Sequence, residues 1–347
     1  MVLTTPVIRA LRRALPQARL TYLVEPQAAP VVAGNPHLDH VVVAPLLSGF
    51  ARLRQDVQLA RRLRRERFDV AVDFHGGPRS SWMALACGAP VRVGYTVAGR
   101  SWMYTKRVDR PRGHRARHSV ENQWDLVDAL LPGQARPTPV SDPVEMPDDP
   151  AASRRIGERL ARWGFDSGHQ YAVVHVGAGN EFRRWPEEAF AQVIATVASA
   201  GPNRRIILTT GPAQAERADT VRLLATAKGL PAGVVVTACD LGLAELRSLI
   251  DRAAVFVGGD SGPAHIAATT RTPMVVMYGP TTDTVWGPWR DPARPTIIVD
   301  AGPLPCRPCD QRRCEPGDFR CLGRIEPARV AAATERAIES GRLRQPV

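Results

Sequence analysis

Apolar residues in this chain come mostly in short runs, separated by polar segments long enough to form a helix. In the first half, Leu20–Val24, Val41–Val43, Phe68–Asp73 and Val91–Tyr95 predict strands, the last announced by the turn signal Gly88-Ala89-Pro90. Thr4 or Thr5 can cap a helix with Pro6 in its first turn, running to about Leu15. The second half repeats the scheme, with strands expected near 171–176, 204–209, 233–237, 254–258, 273–278 and 296–299. Strands alternating with helices imply an α/β chain built on doubly wound parallel sheets, where ligands sit beyond the carboxyl ends of the strands. The Pro- and Asp-rich stretch 142–150 reads as a linker. The expected organisation is a first Rossmann-like domain over 1–145, a second over 151–327, and a C-terminal helix and tail over 328–347. One feature breaks the pattern: a right-handed parallel crossover needs a strand on each side of its helix, yet no strand precedes the first helix. The first domain is therefore expected to lack its N-terminal strand.

Three segments carry candidate chemistry. Val255–Ala268 reads as a covered strand, a tight Gly-Gly turn and a helix, with Asp260 and Ser261 as candidate caps. Gly262 leaves room for a ligand against the backbone, and a helix N-terminus favours phosphate. Tyr171–Phe190 is again a strand ending in a Gly loop, with Pro186, Glu187 and Glu188 opening a helix. Pro273–Thr282 is a strand running into Gly279-Pro280-Thr281. In this order and spacing the segments resemble glycosyltransferase family 9, the lipopolysaccharide heptosyltransferases. The family pattern is a Gly loop followed by basic-x-Trp-Pro, then Asp-Ser/Thr-Gly-x-x-His, then Gly-Pro-Thr. The resemblance extends through Thr4–Leu11 and Cys306–Val330, and so covers essentially the whole chain.

What the resemblance implies is a GT-B architecture, two Rossmann-like domains facing a cleft. The implied activity is inverting, metal-independent transfer of a heptose from ADP-heptose to the anionic lipopolysaccharide inner core. Arg183 matches the basic position near the donor phosphates, with Arg184 sharing the task; the alternative for both is a salt bridge to Glu187 or Glu188. Gly177, Ala178, Gly179 and Asn180 match the phosphate loop, where backbone amides replace the threonines of some relatives. Ser261 and Gly262 would present helix-start amides to the diphosphate, Asp260 would contact the sugar, and His265 would face the same cleft. Glu216 resembles the acidic position that contacts the ribose. Leu241 would line the base pocket or be a plain core leucine. Thr4, Thr5, Asp73 and Arg79 are the acceptor-side candidates, Asp73 having the alternative of capping the next helix. Family members place the proposed base, an aspartate after a glycine, just before the segment that opens this chain. The resemblance thus puts that base upstream of Met1, with a start codon internal to the gene or a truncated, catalytically silent paralogue as the two readings. Another nucleotide-activated sugar is the alternative donor.

Composition narrows these readings. The chain has 347 residues and a net charge of +12. Residues 1–140 hold 21 Lys and Arg against 10 Asp and Glu, whereas the remainder hold 25 against 24. Arg61, Arg62, Arg64, Arg65 and Arg67 form one basic cluster, and Arg107, Arg110, Arg112, Arg115 and Arg117 another. A basic face suits an anionic partner such as a phosphorylated lipid headgroup; the alternative is a solvated helix face. No apolar run reaches membrane-spanning length, and Arg9, Arg12 and Arg13 interrupt the first apolar segment as no signal peptide would. The expected location is the cytoplasm, peripheral to the inner membrane. A nucleic-acid partner would use base-stacking aromatics such as Trp82, Trp102 and Tyr104, but leaves the second-half motifs unexplained. A nucleotide-sugar epimerase or dehydrogenase would need an early Gly-x-Gly-x-x-Gly turn, and the sequence has none.

The last feature is Cys306, Cys309, Cys314 and Cys321, four thiols in sixteen residues. In a cytosolic protein such density points first to a structural zinc site, with reduced thiols or a disulfide as the alternative. Heptosyltransferase II-like family members share the Cys-x-Pro-Cys element. No cofactor is expected for catalysis, and Cys87 and Cys239 read as small core residues.

Overall fold

The computed structural model describes residues 1–111, 116–166 and 168–343. Arg112 and Arg115 of the second basic cluster lie outside the described residues. The chain forms two compact units, Met1–Pro147 and Asp148–Val347.

The first unit contains α1 (Thr5–Ala14), β1 (Thr21–Val24), β2 (His40–Val43), α2 (Gly49–Arg65), β3 (Val70–Asp73), α3 (Pro78–Ala86), β4 (Val91–Tyr95), β5 (Lys106–Val108) and α4 (Ser119–Asp128). All its strand pairs are parallel, but they stand as two sheets, β1–β2 and β3–β4–β5. The three-residue strand β5 carries no hydrophobic pattern, which is why it escapes the sequence reading. The chain start also differs from the expected cap. Val2–Thr4 make a 3-10 turn that leads into α1, and neither threonine caps it with a side chain. The Thr5 hydroxyl instead donates to the Val2 carbonyl (2.9 Å) and accepts from the Glu145 amide (2.9 Å). The stretch expected as a linker packs back onto α1 over its first part. Asp142 is fully buried and takes both terminal nitrogens of Arg13 (2.6 and 3.1 Å), Glu145 pairs with Arg9, and Val144 and Met146 are buried.

The second unit contains α5 (Pro150–Arg162), β6 (Gln170–His175), α6 (Glu187–Ser199), β7 (Arg204–Thr209), α7 (Ala215–Thr226), β8 (Val235–Ala238), α8 (Leu243–Asp251), β9 (Val255–Gly259), α9 (Gly262–Ala268), β10 (Met274–Tyr278), α10 (Asp283–Trp286), β11 (Thr296–Asp300), α11 (Arg320–Gly323) and α12 (Pro327–Arg342). Its six strands form one parallel sheet in the order β11-β10-β9-β6-β7-β8. Alternate residues Ala172 and Val174 of β6 join a core cluster with α6, α7 and α12, while Val173 is buried on the other face. Helices α5, α8 and α9 pack with one another as the second group. Sheets covered on both faces demand continuous apolar strands, and all five residues of β10 are buried. The C-terminal helix α12 packs on β10, β11 and α6, so it belongs to this unit.

From β6 the chain winds one way through β7 and β8, then returns to lay β9 on the other side of β6. The carboxyl ends of β6 and β9 therefore flank the topological switch point, where such sheets bind ligands. No helix among the described residues is long and apolar enough to cross a membrane.

Candidate functional site

At the carboxyl end of β6 the backbone is fixed by a buried side-chain framework. His175 is buried and its Nδ1 lies 3.0 Å from the Thr209 hydroxyl; burial pushes its pKa down to about 4, so the ring is neutral near pH 7. Gly177 is closely approached: a Cβ there would lie 3.1 Å from Gln214 Oε1, 3.3 Å from His175 Nε2 and 3.4 Å from the Thr210 backbone, so a side chain would need its neighbours to give by a few tenths of an ångström. Gln214 then clamps the next residue at two points. The Ala178 amide donates to Gln214 Oε1 (3.1 Å), and Gln214 Nε2 donates to the Ala178 carbonyl (2.8 Å). The Ala178 amide is thus engaged within the protein, contrary to the expectation that it serves phosphate. A Cβ on Gly179 would meet nothing within 4 Å, which leaves this part of the loop open. Asn180 Oδ1 accepts from the Phe182 amide (3.0 Å), and the exposed Arg184 donates from Nε to the Ala178 carbonyl (3.2 Å).

Asp260 follows β9 and is 4% exposed. Its Oδ2 accepts from the Thr281 hydroxyl (2.6 Å) and lies 3.3 Å from Arg183 Nη1. Burial pushes the Asp260 pKa up, and Thr281 and Arg183 pull against it. Arg183 Nε donates to Gln311 Oε1 (2.7 Å), which also accepts from Asn180 Nδ2 (3.2 Å). Four loops thus deliver one constellation: Asn180 and Arg183 after β6, Asp260 after β9, Thr281 after β10, and Gln311 from the cysteine-bearing segment. Neither Asp260 nor Ser261 caps α9 with its side chain, in contrast to the sequence expectation. Ser261 is the N-cap in extended backbone, and its hydroxyl donates back to the Gly259 carbonyl (3.3 Å). A Cβ on Gly262 would meet nothing within 4 Å, and His265 sits half-buried one turn further on.

Glu216 and Leu241, the other donor-side candidates, take no part in the side-chain hydrogen bonds and ion pairs of this constellation. Glu216 is exposed in the first turn of α7, and Leu241 is half-buried ahead of α8. The carboxylate of Glu187 pairs with Arg217 (2.7 Å) rather than with Arg183 or Arg184. Arg217 also donates to the carbonyls of Val176 (2.8 Å) and Trp185, tying the end of β6 to the Trp-Pro turn. Sequence reasoning missed Arg217, Thr281 and Gln311. Only Thr281 had a signal, because Gly279-Pro280-Thr281 was part of the resemblance.

In the first unit the acceptor-side candidates are engaged by their own fold. Buried Asp73 accepts from the amides of His75 (2.9 Å) and Gly76 (3.0 Å), from the Tyr104 hydroxyl (2.6 Å) and from Ser81 Oγ (3.4 Å). It does not cap α3, whose N-cap is Gly77. Arg79 donates to Asp56 (2.6 Å) and to the Pro45 carbonyl (2.7 Å). Thr5 is wholly buried, and Thr4 bonds Tyr22, whose phenol is pushed up to about 12 mainly by burial. Tyr104, named as a stacking aromatic, is buried as well.

The four clustered cysteines are unbridged. Burial pushes the Cys321 thiol up, and the other three lie near enough to add to the shift. Among the described residues, no group of three or more His, Cys, Asp or Glu side chains is arranged to hold a metal ion. What the segment does grip is the site. The Cys309 amide donates to the Pro280 carbonyl (3.2 Å), Arg307 Nη2 donates to the Thr281 carbonyl (2.9 Å), and Phe319 packs on Phe182 with ring centroids 5.5 Å apart.

Comparison with known proteins bears on the family and the fold. The family model for glycosyltransferase family 9 (heptosyltransferase) matches residues 57–318. Lipopolysaccharide heptosyltransferase 3 of Escherichia coli is 26% identical over 348 residues, spanning 98% of this chain and 96% of the relative. Among solved structures, the family 9 glycosyl transferase from Veillonella parvula DSM 2008 superposes with a TM-score of 0.79 at 20% identity, covering 97% of this chain and 93% of that one. The E. coli ADP-heptose lps heptosyltransferase II does so with 0.74 at 17% identity, covering 99% and 96%. The fold common to these structures is GT-B, two Rossmann-like domains.

Proposed function

Because this chain belongs to glycosyltransferase family 9 and is a glycosyltransferase, we propose that it moves a heptose from ADP-heptose onto the lipopolysaccharide inner core, with inversion and without a metal ion. The observation that carries this reading is the convergence of Arg183, Asp260, Thr281 and Gln311 at the switch point of the second sheet. In such a transfer the departing nucleoside diphosphate gathers negative charge, and stabilising that charge dominates catalysis. Arg183 supplies a fixed cation there: Gln311 holds Nε and Asp260 faces Nη1, which aims the guanidinium instead of leaving it to wander. A guanidinium matches phosphate in shape as well as charge. The open backbone at Gly179 and Gly262 lets the diphosphate approach main-chain amides, with Ser261 and Asn180 at its margin. Asp260, kept in place by Thr281, accepts from sugar hydroxyls. His265, Glu216 and Leu241 complete the donor side, toward the sugar, the ribose and the base.

The acceptor is anionic, and the basic first unit suits it in sign. Because Thr5, Asp73 and Arg79 are occupied within that unit, their contribution is to shape the acceptor surface rather than to grip sugar. Function at the cytoplasmic face of the inner membrane belongs to the same reading. The deciding assay is ADP release from ADP-heptose with a heptose-deficient lipopolysaccharide acceptor, with and without chelator. Acceptor-dependent release that survives chelation supports the proposal. Release only from another nucleotide sugar moves the donor assignment, and nucleotide binding without turnover in any combination supports a silent paralogue.

A further inference from the structure

Helix α2 has an outer face whose composition its own packing does not explain. It presses only Leu59, Ala60 and Leu63 into the core. At 3.6 residues per turn, the direction opposite those three carries Phe50, Arg54, Arg61 and Arg65 in one stripe. Phe50 is 93% exposed; Leu53, which points the same way as Ala60 two turns on, is nevertheless 62% exposed in the first turn, and Leu46 and Leu47 just before the helix are exposed too. Arg62 and Arg64 flank the stripe in solvent. Among the described residues, no carboxylate comes within ion-pair distance of Arg54, Arg61, Arg62 or Arg65. Asp56, the one acid within the helix, is taken by Arg79 at 2.6 Å, and Glu66 pairs with Arg19. Arginines in the last turn are favoured by the helix dipole, which accounts for part of the charge. It does not account for four large apolar side chains in water at the opposite end of the helix.

We propose that this face of α2 docks on an anionic lipid bilayer. Phe50, Leu53, Leu46 and Leu47 enter the boundary between headgroups and acyl chains, and Arg54, Arg61 and Arg65 lie along the lipid phosphates. A helix of 17 residues presents a stripe roughly 25 Å long, enough for several headgroups. Charge complementarity selects an anionic surface over a neutral one. The apolar residues select a bilayer over nucleic acid, because three of the four are leucines with no π-face for a base. This surface is independent of the donor chemistry and stands or falls without it.

The test is sedimentation of the full chain with phosphatidylcholine vesicles containing about 30% phosphatidylglycerol, and with pure phosphatidylcholine, next to a single-stranded oligonucleotide titration. The wild type is expected to bind the anionic vesicles and to bind the neutral ones at least tenfold more weakly. Phe50→Ser with Leu53→Ser should weaken anionic-vesicle binding on the order of tenfold while leaving the circular dichroism spectrum and ADP affinity unchanged. Arg54→Gln with Arg61→Gln and Arg65→Gln should erase the difference between the two vesicle types. Equal binding by wild type and the double serine variant overturns the proposal. So does tighter binding to the oligonucleotide than to vesicles, or loss of a self-associated form with vesicle binding intact. Loss of ADP affinity in the wild type would instead count against the transferase reading alone.

Discussion

Both units are built of parallel strands and helices, yet they use their polar residues differently. In the first unit the singled-out polar groups close on each other: Thr5 on Val2 and Glu145, Asp73 on a turn and a tyrosine, Arg79 on Asp56. In the second, Arg183, Asp260, Thr281 and Gln311 come from four separate loops and meet at a strand-end opening. Buried polar groups need partners in either case. Where the partners only close a buried group, they hold the fold however far apart they lie in sequence, as Thr5 and Glu145 do; where they converge beside open backbone, as at Gly179 and Gly262, they form a candidate site. The difference between the two units lies in what the partners surround.

The sharpest test of that contrast is Arg183→Ala. Transfer should fall by about 100- to 1,000-fold, because a fixed cation at the departing phosphate is lost, while thermal stability changes little. The measurement is kcat for ADP release beside a melting curve, and a large loss of stability with modest loss of rate would blur the two units together. Next is the pH response of the second unit. The folded His175 pKa is depressed to about 4 from an ordinary 6.5, so its contribution is complete above about 6.5 and is lost as pH falls toward 4. That limb amounts to about 3 kcal/mol of stability by linkage, and urea titrations of wild type and His175→Asn across this window should differ in slope. Asp73→Ala tests the first unit. It strands two turn amides and leaves the Tyr104 hydroxyl only its bond to Ser81, which should cost about 2–3 kcal/mol of stability with ADP affinity preserved. If stability held and only the acceptor KM rose, Asp73 would be a contact residue and the contrast would fail. The smallest effect is expected from Gln311→Ala, a loss of roughly threefold to tenfold in kcat, with Gln311→Glu restoring an acceptor for Arg183 Nε and part of the rate.

Legibility in the sequence follows the same division. The six-stranded sheet of the second unit is covered on both faces, so its strands carry apolar runs through their centres, and each expected strand lies within two residues of the observed one. The strands of the first unit are partly exposed, and β5, Lys106–Val108, has no pattern to find. At the site, Asp260 and Arg183 were found because each stands in a local motif. Gln311 was not, since it lies 128 residues from Arg183 and meets it only through the fold. The capping roles of Asp260 and Ser261 failed for a related reason: Thr281 and Arg183, both distant in sequence, take the Asp260 carboxylate away from its own helix. Arg217 likewise reads as one more surface arginine until its three partners are known.

The clamp of Gln214 on Ala178 has a consequence for how this loop can change over evolution. Past the end of β6, the Val176 amide still bonds the Thr209 carbonyl (3.0 Å), and one residue after Gly177 the glutamine amide repeats the gesture with a side chain. A borrowed rung of ladder thus prolongs the sheet beyond its own backbone, with a glycine in between where the space is tight. Length variation before Ala178 would throw that rung out of register, whereas from Gly179 onward the chain borders open space and can lengthen. Homologues that differ in their preferred sugar should therefore carry their insertions after this rung and keep the spacing before it.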